Sequence, residues 1–138
     1  MRLLAALASA LFFASCGSVG GAYTSALAGT SWRLEQLRAA DGASTVPANP
    51  ERYTLNFTAD GGVSMQLDCN RGNGTWTSNS DGEVSITPLA VTRAFCGEGS
   101  LDTRIARDIG SVRSYQRDGA QLTLTMSDGG ALVWQRQN

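Results

Sequence analysis

Asp68-Cys69-Asn70-Arg71-Gly72-Asn73-Gly74-Thr75-Trp76, read together with Leu89-Ala90-Val91-Thr92-Arg93-Ala94-Phe95-Cys96, decides how this chain folds. Each stretch carries one cysteine. The third cysteine, Cys16, ends a signal-like segment and has a separate use, which leaves Cys69 and Cys96 as an even pair. In an exported protein the oxidising compartment makes a disulfide their expected state. Closing a loop of this length is worth roughly 3–4 kcal/mol on the chain-entropy model, against the ~5–15 kcal/mol that holds a small domain folded. The other readings are two thiols buried in a cytosolic core and a pair of metal ligands. The chain has no histidine, so two cysteines alone do not complete an ordinary closed zinc site.

The case for export lies in the first residues. Arg2 is the only charge before Cys16, followed by an apolar run over 3–13 and the small residues Ala14 and Ser15. That order is the pattern of a signal peptide over 1–15, and the run is too short to span a bilayer. Phe13-Ala14-Ser15-Cys16 resembles a bacterial lipobox, with Phe13 where leucine is usual. The resemblance implies cleavage just before Cys16 and lipidation of that cysteine. Secretion with cleavage after Ala26-Leu27-Ala28 is the alternative, but that site lies far past the apolar run. The expected organisation is a signal peptide over 1–15, lipidated Cys16 with a flexible tether of Gly, Ser and Ala over 16–29, and one domain over 30–138. Acyl chains, at ~0.8 kcal/mol per buried CH₂, would hold such a protein on a membrane without a spanning helix. Gly17 rather than aspartate after the cysteine resembles the sorting signal of outer-membrane lipoproteins facing the periplasm.

Outward from the cysteines the pattern is alternation broken by glycine turns. Trp32 and Leu34 share one side of a first strand. After a polar loop with Pro47 and Pro50, the residues Tyr53, Leu55 and Phe57 alternate with polar neighbours, and beyond Ala59-Asp60-Gly61-Gly62 so do Val63, Met65, Leu67 and Cys69. This predicts a hairpin with one apolar face and Cys69 on the core side. Thr75-Trp76-Thr77 and Val84 with Ile86 predict short strands, and residues 89–96 an extended or irregular return to Cys69. Ser100 is placed to cap a helix in which Leu101, Ile105 and Ile109 recur at helical spacing, with Asp102 in the first turn and Gly110 at the end. Tyr115 opens the last strands, where Leu122, Leu124 and Met126 alternate between Asp118-Gly119 and Asp128-Gly129-Gly130, followed by Leu132 and Trp134. The fold class is mainly antiparallel β with one α-helix, a curved sheet or partly open β-barrel with the helix packed across it.

Gly29-Thr30-Ser31-Trp32-Arg33-Leu34, Cys69-Asn70-Arg71 with Gly74, the 89–96 segment with Thr92-Arg93, and Leu122-Thr123-Leu124 together resemble the META domain of HslJ-like proteins. Two positions depart from that pattern: Asp68 stands where glycine usually precedes the first cysteine, and Ala94-Phe95 where methionine usually follows the Thr-Arg pair. The resemblance implies a small antiparallel β domain with a helix, exported and often lipid-anchored. Its loose links are to envelope stress, secretion and motility.

Composition and motifs narrow the function. The formal net charge is −1, with 11 basic residues, all arginine, and 12 acidic ones, which is no nucleic-acid footprint. Without histidine the commonest general base is missing. Asp60, Asp68, Asp81, Asp118 and Asp128 mostly sit in or beside turns, where aspartate has a structural reason to be. Asp68 with Asn70 and Arg71 reads as loop hydrogen bonding around a disulfide. Asn73-Gly74 reads as a turn, and Gly72-Asn73-Gly74 lacks the spacing of a phosphate-binding loop. No catalytic residue, metal or cofactor is expected. Asn70, Arg71, Thr92 and Arg93 form the candidate partner surface, where Thr92-Arg93 either presents an arginine or pins the extended segment through an ion pair or backbone bond. The expected function is that of a non-catalytic envelope lipoprotein that binds or stabilises another envelope component. The alternative is a pilotin-like or carrier module that takes a lipid or other apolar ligand in an open barrel, with Trp32, Met65, Trp76, Met126 and Trp134 lining a cavity instead of filling it.

Overall fold

The computed structural model describes residues 25–138. The signal segment and Cys16 lie outside them. The strands, in chain order, are β1 (Thr30–Arg38), β2 (Ser44–Thr45), β3 (Tyr53–Phe57), β4 (Gly62–Leu67), β5 (Asn70–Thr77), β6 (Ser85–Ile86), β7 (Ala90–Val91), β8 (Val112–Asp118), β9 (Gln121–Met126) and β10 (Ala131–Gln137). A 3-10 turn, Pro50–Arg52, precedes β3, and the helix α1, Asp102–Ile109, lies between β7 and β8. The strands follow the order β6-β5-β4-β3-β1-β10-β9-β8, with β2 on β1 and β7 on β5. Every pairing is antiparallel. The two ends of this order meet, because Val84 N–H donates to Arg113 O at 3.2 Å and Tyr115 N–H to Gly82 O at 2.9 Å. The sheet thereby nearly closes into a barrel, which leaves few unpaired edges.

Alternation fills the interior. Tyr53, Leu55 and Phe57 on β3 stand opposite Leu67, Met65 and Val63 on β4, and all six are buried. In β1 a bulge between Leu34 and Gln36 resets the alternation, so that Leu37 joins Trp32 and Leu34 inside. The Phe57 and Trp76 rings meet edge to face at 5.5 Å, and the Trp76 indole N–H donates to Thr58 O at 3.1 Å. Trp32 is fully buried, and the guanidinium groups of Arg117 and Arg136 lie 5.5 and 5.4 Å from its ring centre. Ile105 and Ile109, one turn apart on α1, are fully buried and join the same core.

Four expectations change. Leu27, assigned to the tether, is fully buried. Residues 26–29 form a turn with Thr30 Oγ1 donating to Leu27 O at 2.6 Å, so 25–29 belong to the folded domain and not to a tether. Cys69 is exposed instead of core-facing, because Asp68 adopts a left-handed φ of 59° that breaks the alternation after Leu67. Asn73-Gly74 is not a turn but lies, with Gly72, in the middle of β5. A Cβ on Gly72 would come within 3.0 Å of Leu89 Cδ1, and one on Gly74 within 3.1 Å of Thr87 Oγ1. These glycines serve close approach of the 87–91 segment, not reversal of the chain. Finally, the helix begins at Asp102 with Leu101 in the capping position. Ser100 Oγ accepts only a long bond from Asp102 N–H, at 3.4 Å.

If α1 is fixed by its two isoleucines, Ile105→Ala should cost ~2–5 kcal/mol. The expected readout is a lower urea midpoint with an unchanged slope of free energy against urea.

Candidate functional site

The end of β4, the start of β5 and the 89–96 segment converge on Asn70, whose side chain is 1% exposed. Its Nδ2 donates to Ala94 O at 2.9 Å and to Asp102 Oδ2 at 2.9 Å, and lies 3.3 Å from Cys96 Sγ. Its Oδ1 accepts from Ala94 N–H at 2.8 Å and from Thr92 Oγ1 at 3.0 Å. One carboxamide thus joins β5, the extended segment and the first residue of the helix. A buried amide with all its capacity used is a rigid joint, because no alternative partner is in reach and water is excluded. Beside it the disulfide Cys69–Cys96 closes the 27-residue separation with Cα atoms 5.4 Å apart. The sequence expectation for this pair is met.

Thr92 does the pinning. Its Oγ1 accepts from Arg71 N–H at 2.9 Å, and its own N–H donates to Arg71 O at 3.0 Å. Arg93 is the other half of that sequence pair, and it is exposed with no ion-pair or hydrogen-bond partner among the described residues. The same holds for the Arg71 side chain. Of the outcomes weighed for Thr92-Arg93, the backbone bond that pins the segment is seen at Thr92, and Arg93 is left exposed. Next along the chain Phe95 is 86% exposed.

Asp68 holds the other flank. Its carboxylate pairs with Arg52 Nη2 at 2.7 Å and accepts from the Tyr53 hydroxyl at 3.4 Å, while that hydroxyl accepts from Leu101 N–H at 3.0 Å. A non-glycine residue at positive φ costs ~1–2 kcal/mol. Aspartate tolerates that region better than most residues, and these two contacts favour it further.

Between the 88–95 segment and α1 runs an open groove of about 510 Å³. Leu89, Val91 and Ala106 give it an apolar floor, and Arg93, Phe95 and Arg107 stand along its walls. Its carboxylate, Asp102, is pushed up by burial, but hydrogen bonds from the Asn70 amide, the Thr103 backbone and the Ser100 hydroxyl outweigh that, and its pKa lies below the ordinary 3.8. Among the described residues no cluster of His, Cys, Asp or Glu is placed to hold a metal ion. Of the residues weighed as cavity lining, Trp32, Met65, Trp76, Met126 and Trp134 are all buried in the one core.

Sequence reasoning placed Cys69, Cys96, Asn70, Arg71, Thr92 and Arg93 together, and the structure brings all six to one end of the barrel. It missed Asp102, which reads as a helix-dipole residue, and Phe95, which stands outside any alternation. The signal for Phe95 was present: a large apolar side chain in a segment with no strand or helix period to bury it.

Asn70→Ala should destabilise the domain by ~2–4 kcal/mol, since it strands a buried N–H, a carbonyl and a carboxylate at once. Because the folded pKa of Asp102 is depressed, its contribution is present above the ordinary carboxylate range and lost as pH falls through the folded value. Acid titrations of stability should accordingly fall less steeply in Asn70→Ala than in the wild type. Asn70→Asp sets a second carboxylate against Asp102, so its loss should be largest at neutral pH and shrink towards pH 4. Separately, reduction of the Cys69–Cys96 bond should cost about 3.5 kcal/mol in denaturant midpoint terms.

The comparisons with known proteins agree with the fold. No curated protein matches the chain. The NMR structure of a protein from Burkholderia xenovorans is similar at a TM-score of 0.69 and 25% identity, over 81% of this chain and 84% of that one. A crystal structure of a DUF4847 family protein from Bacteroides vulgatus ATCC 8482 shares the fold at a TM-score of 0.61 and 14% identity, over 82% of this chain and 97% of that one. The META domain model matches residues 25–138, all of the described part, and the chain belongs to the META domain family.

Proposed function

We propose that this META domain is a non-catalytic binding module of the bacterial envelope, anchored through a lipidated Cys16, whose Arg71, Arg93 and Phe95 face binds or stabilises another envelope component. The observation that carries the reading is Phe95, an aromatic ring 86% exposed in the loop that Asn70 and the disulfide hold in place. Aromatic residues, phenylalanine among them, and arginine are enriched at protein interfaces relative to the rest of the surface. Holding the loop beforehand lowers the ordering cost of association.

The position on the barrel suits an anchored protein. Thr30, where the chain enters, pairs with Phe57 at one end of β3. Asn70 follows Leu67, which pairs with Tyr53 at the other end. With an anchor at Cys16 the candidate face lies at the end of the barrel away from the chain's entry. A non-catalytic role is supported by the site's polar groups being tied to one another, with Asn70 joining Asp102 to the 92–94 segment.

Two measurements test this. Intact mass from native membranes should give a chain beginning at an acylated Cys16. A photo-crosslinking residue in place of Phe95 should give a discrete protein adduct in envelope fractions, whereas one at exposed Gln116 should not. Equal labelling from both positions, or none from position 95, would count against a partner face here.

A further inference from the structure

We propose that the outer edge of β7, with the groove beside α1, accepts a short extended acidic segment of a partner protein as an added strand. This rests on the reading of the same face as a partner surface and names what the partner presents.

The first observation is a free edge. Among the described residues, β7 pairs with β5 and with no other strand. Thr92 directs its N–H at Arg71 O, and in an antiparallel ladder the backbone groups of alternate residues point to opposite sides. With Thr92 and Ala90 turned towards β5 and Ala94 N–H turned to Asn70 Oδ1, the N–H and C=O of Val91, and of Arg93 beyond it, point away from β5, and both residues line the groove. Such a row is a template for another chain, and most strands in this nearly closed barrel have none.

The second observation is that the groove is held open. At one end Asn70 ties Ala94 to Asp102 at the start of the helix. At the other, Pro88 packs by Gly110 just past the helix, where a Cβ on Gly110 would lie 3.9 Å from Pro88 Cα. The space between has the length of an eight-residue helix. That is roughly 12 Å, room for about four extended residues.

Charge selects the class of segment. The groove lining carries two guanidinium groups, Arg93 and Arg107, against one carboxylate, Asp102, whose Oδ2 is occupied by the Asn70 amide; Arg107 also pairs with Asp108 at 2.9 Å. Arg93 has no partner among the described residues. An incoming carboxylate meets an uncompensated guanidinium, and an incoming lysine meets repulsion. Leu89, Val91 and Ala106 take the alternate, apolar side chains. A lipid chain fits less well, because it would cover the polar backbone edge, Thr92 and Thr103 without satisfying them.

The test uses an acetylated and amidated hexapeptide of alternating valine and glutamate, titrated to millimolar concentration into the ¹⁵N-labelled domain. Shift changes should centre on Val91, Arg93, Thr103 and Ala106, and Arg93→Glu should weaken binding about tenfold. The lysine version should not bind. Of two peptides N-methylated on the valines or on the glutamates, one should lose binding at least tenfold and the other should not, since an added strand uses alternate N–H groups. No binding by the parent peptide, equal binding by both methylated forms, equal binding by the lysine form, or changes centred elsewhere would each overturn strand addition. Crosslinking from position 95 is read independently: if it persists, the partner face stands without the added strand, and if it also fails, both readings fall.

Discussion

The carboxamide of Asn70 is the joint on which this end of the molecule depends. Its donors and acceptor fix Ala94, Thr92 and Asp102 at once, and those residues belong to the extended segment and the helix start. Without it, the 89–96 segment would be attached by the short β7 ladder, the two Thr92–Arg71 bonds, the packing of Leu89 and Val91 on the core, and one covalent bond. The disulfide limits how far that segment can stray in the unfolded chain. It does not say where Thr92, Arg93 and Phe95 point when the chain is folded. The amide does, because hydrogen bonds to a buried group are directional and costly to leave unmade.

The fold shows why the joint sits where it does. β5 has to come close to the 87–91 segment along its length, and Gly72 and Gly74 make the room. Asp68 has to turn the chain sharply out of β4 so that Asn70 arrives facing inward, and Arg52 and Tyr53 hold that turn. Each of these residues would look replaceable alone. Together they convert a hairpin into a fixed platform that leaves Arg93 and Phe95 in solvent.

Much of the fold was legible because alternation is a local signal. Tyr53, Leu55 and Phe57 against Val63, Met65 and Leu67 needed only the period of a strand and a glycine turn, and Ile105 with Ile109 only the period of a helix. What was not legible depends on contacts distant in sequence. Asn73-Gly74 carries the residues of a turn, and only the neighbouring Leu89 and Thr87 reveal that Gly72 and Gly74 are spacers. The bulge in β1 is invisible because Leu37 is out of phase with Trp32 until the register with β10 is known. At the site, the cysteine pair and the Asn70, Arg71, Thr92, Arg93 set could be named from the sequence. The bond from Asn70 to Asp102 could not, since it spans 32 positions and joins residues that each have a sufficient local explanation.

The central claim is that Asn70, more than the disulfide, orders the segment that carries Arg93 and Phe95. Amide hydrogen exchange of Thr92 and Ala94, measured in the oxidised protein, the reduced protein and oxidised Asn70→Ala under conditions where all three stay folded, separates the two constraints. The account predicts that protection at Ala94 and Thr92 survives reduction in large part and collapses in Asn70→Ala with the disulfide intact. Protection that vanishes on reduction and survives loss of the Asn70 side chain would contradict it, and would make the covalent bond the organising element instead.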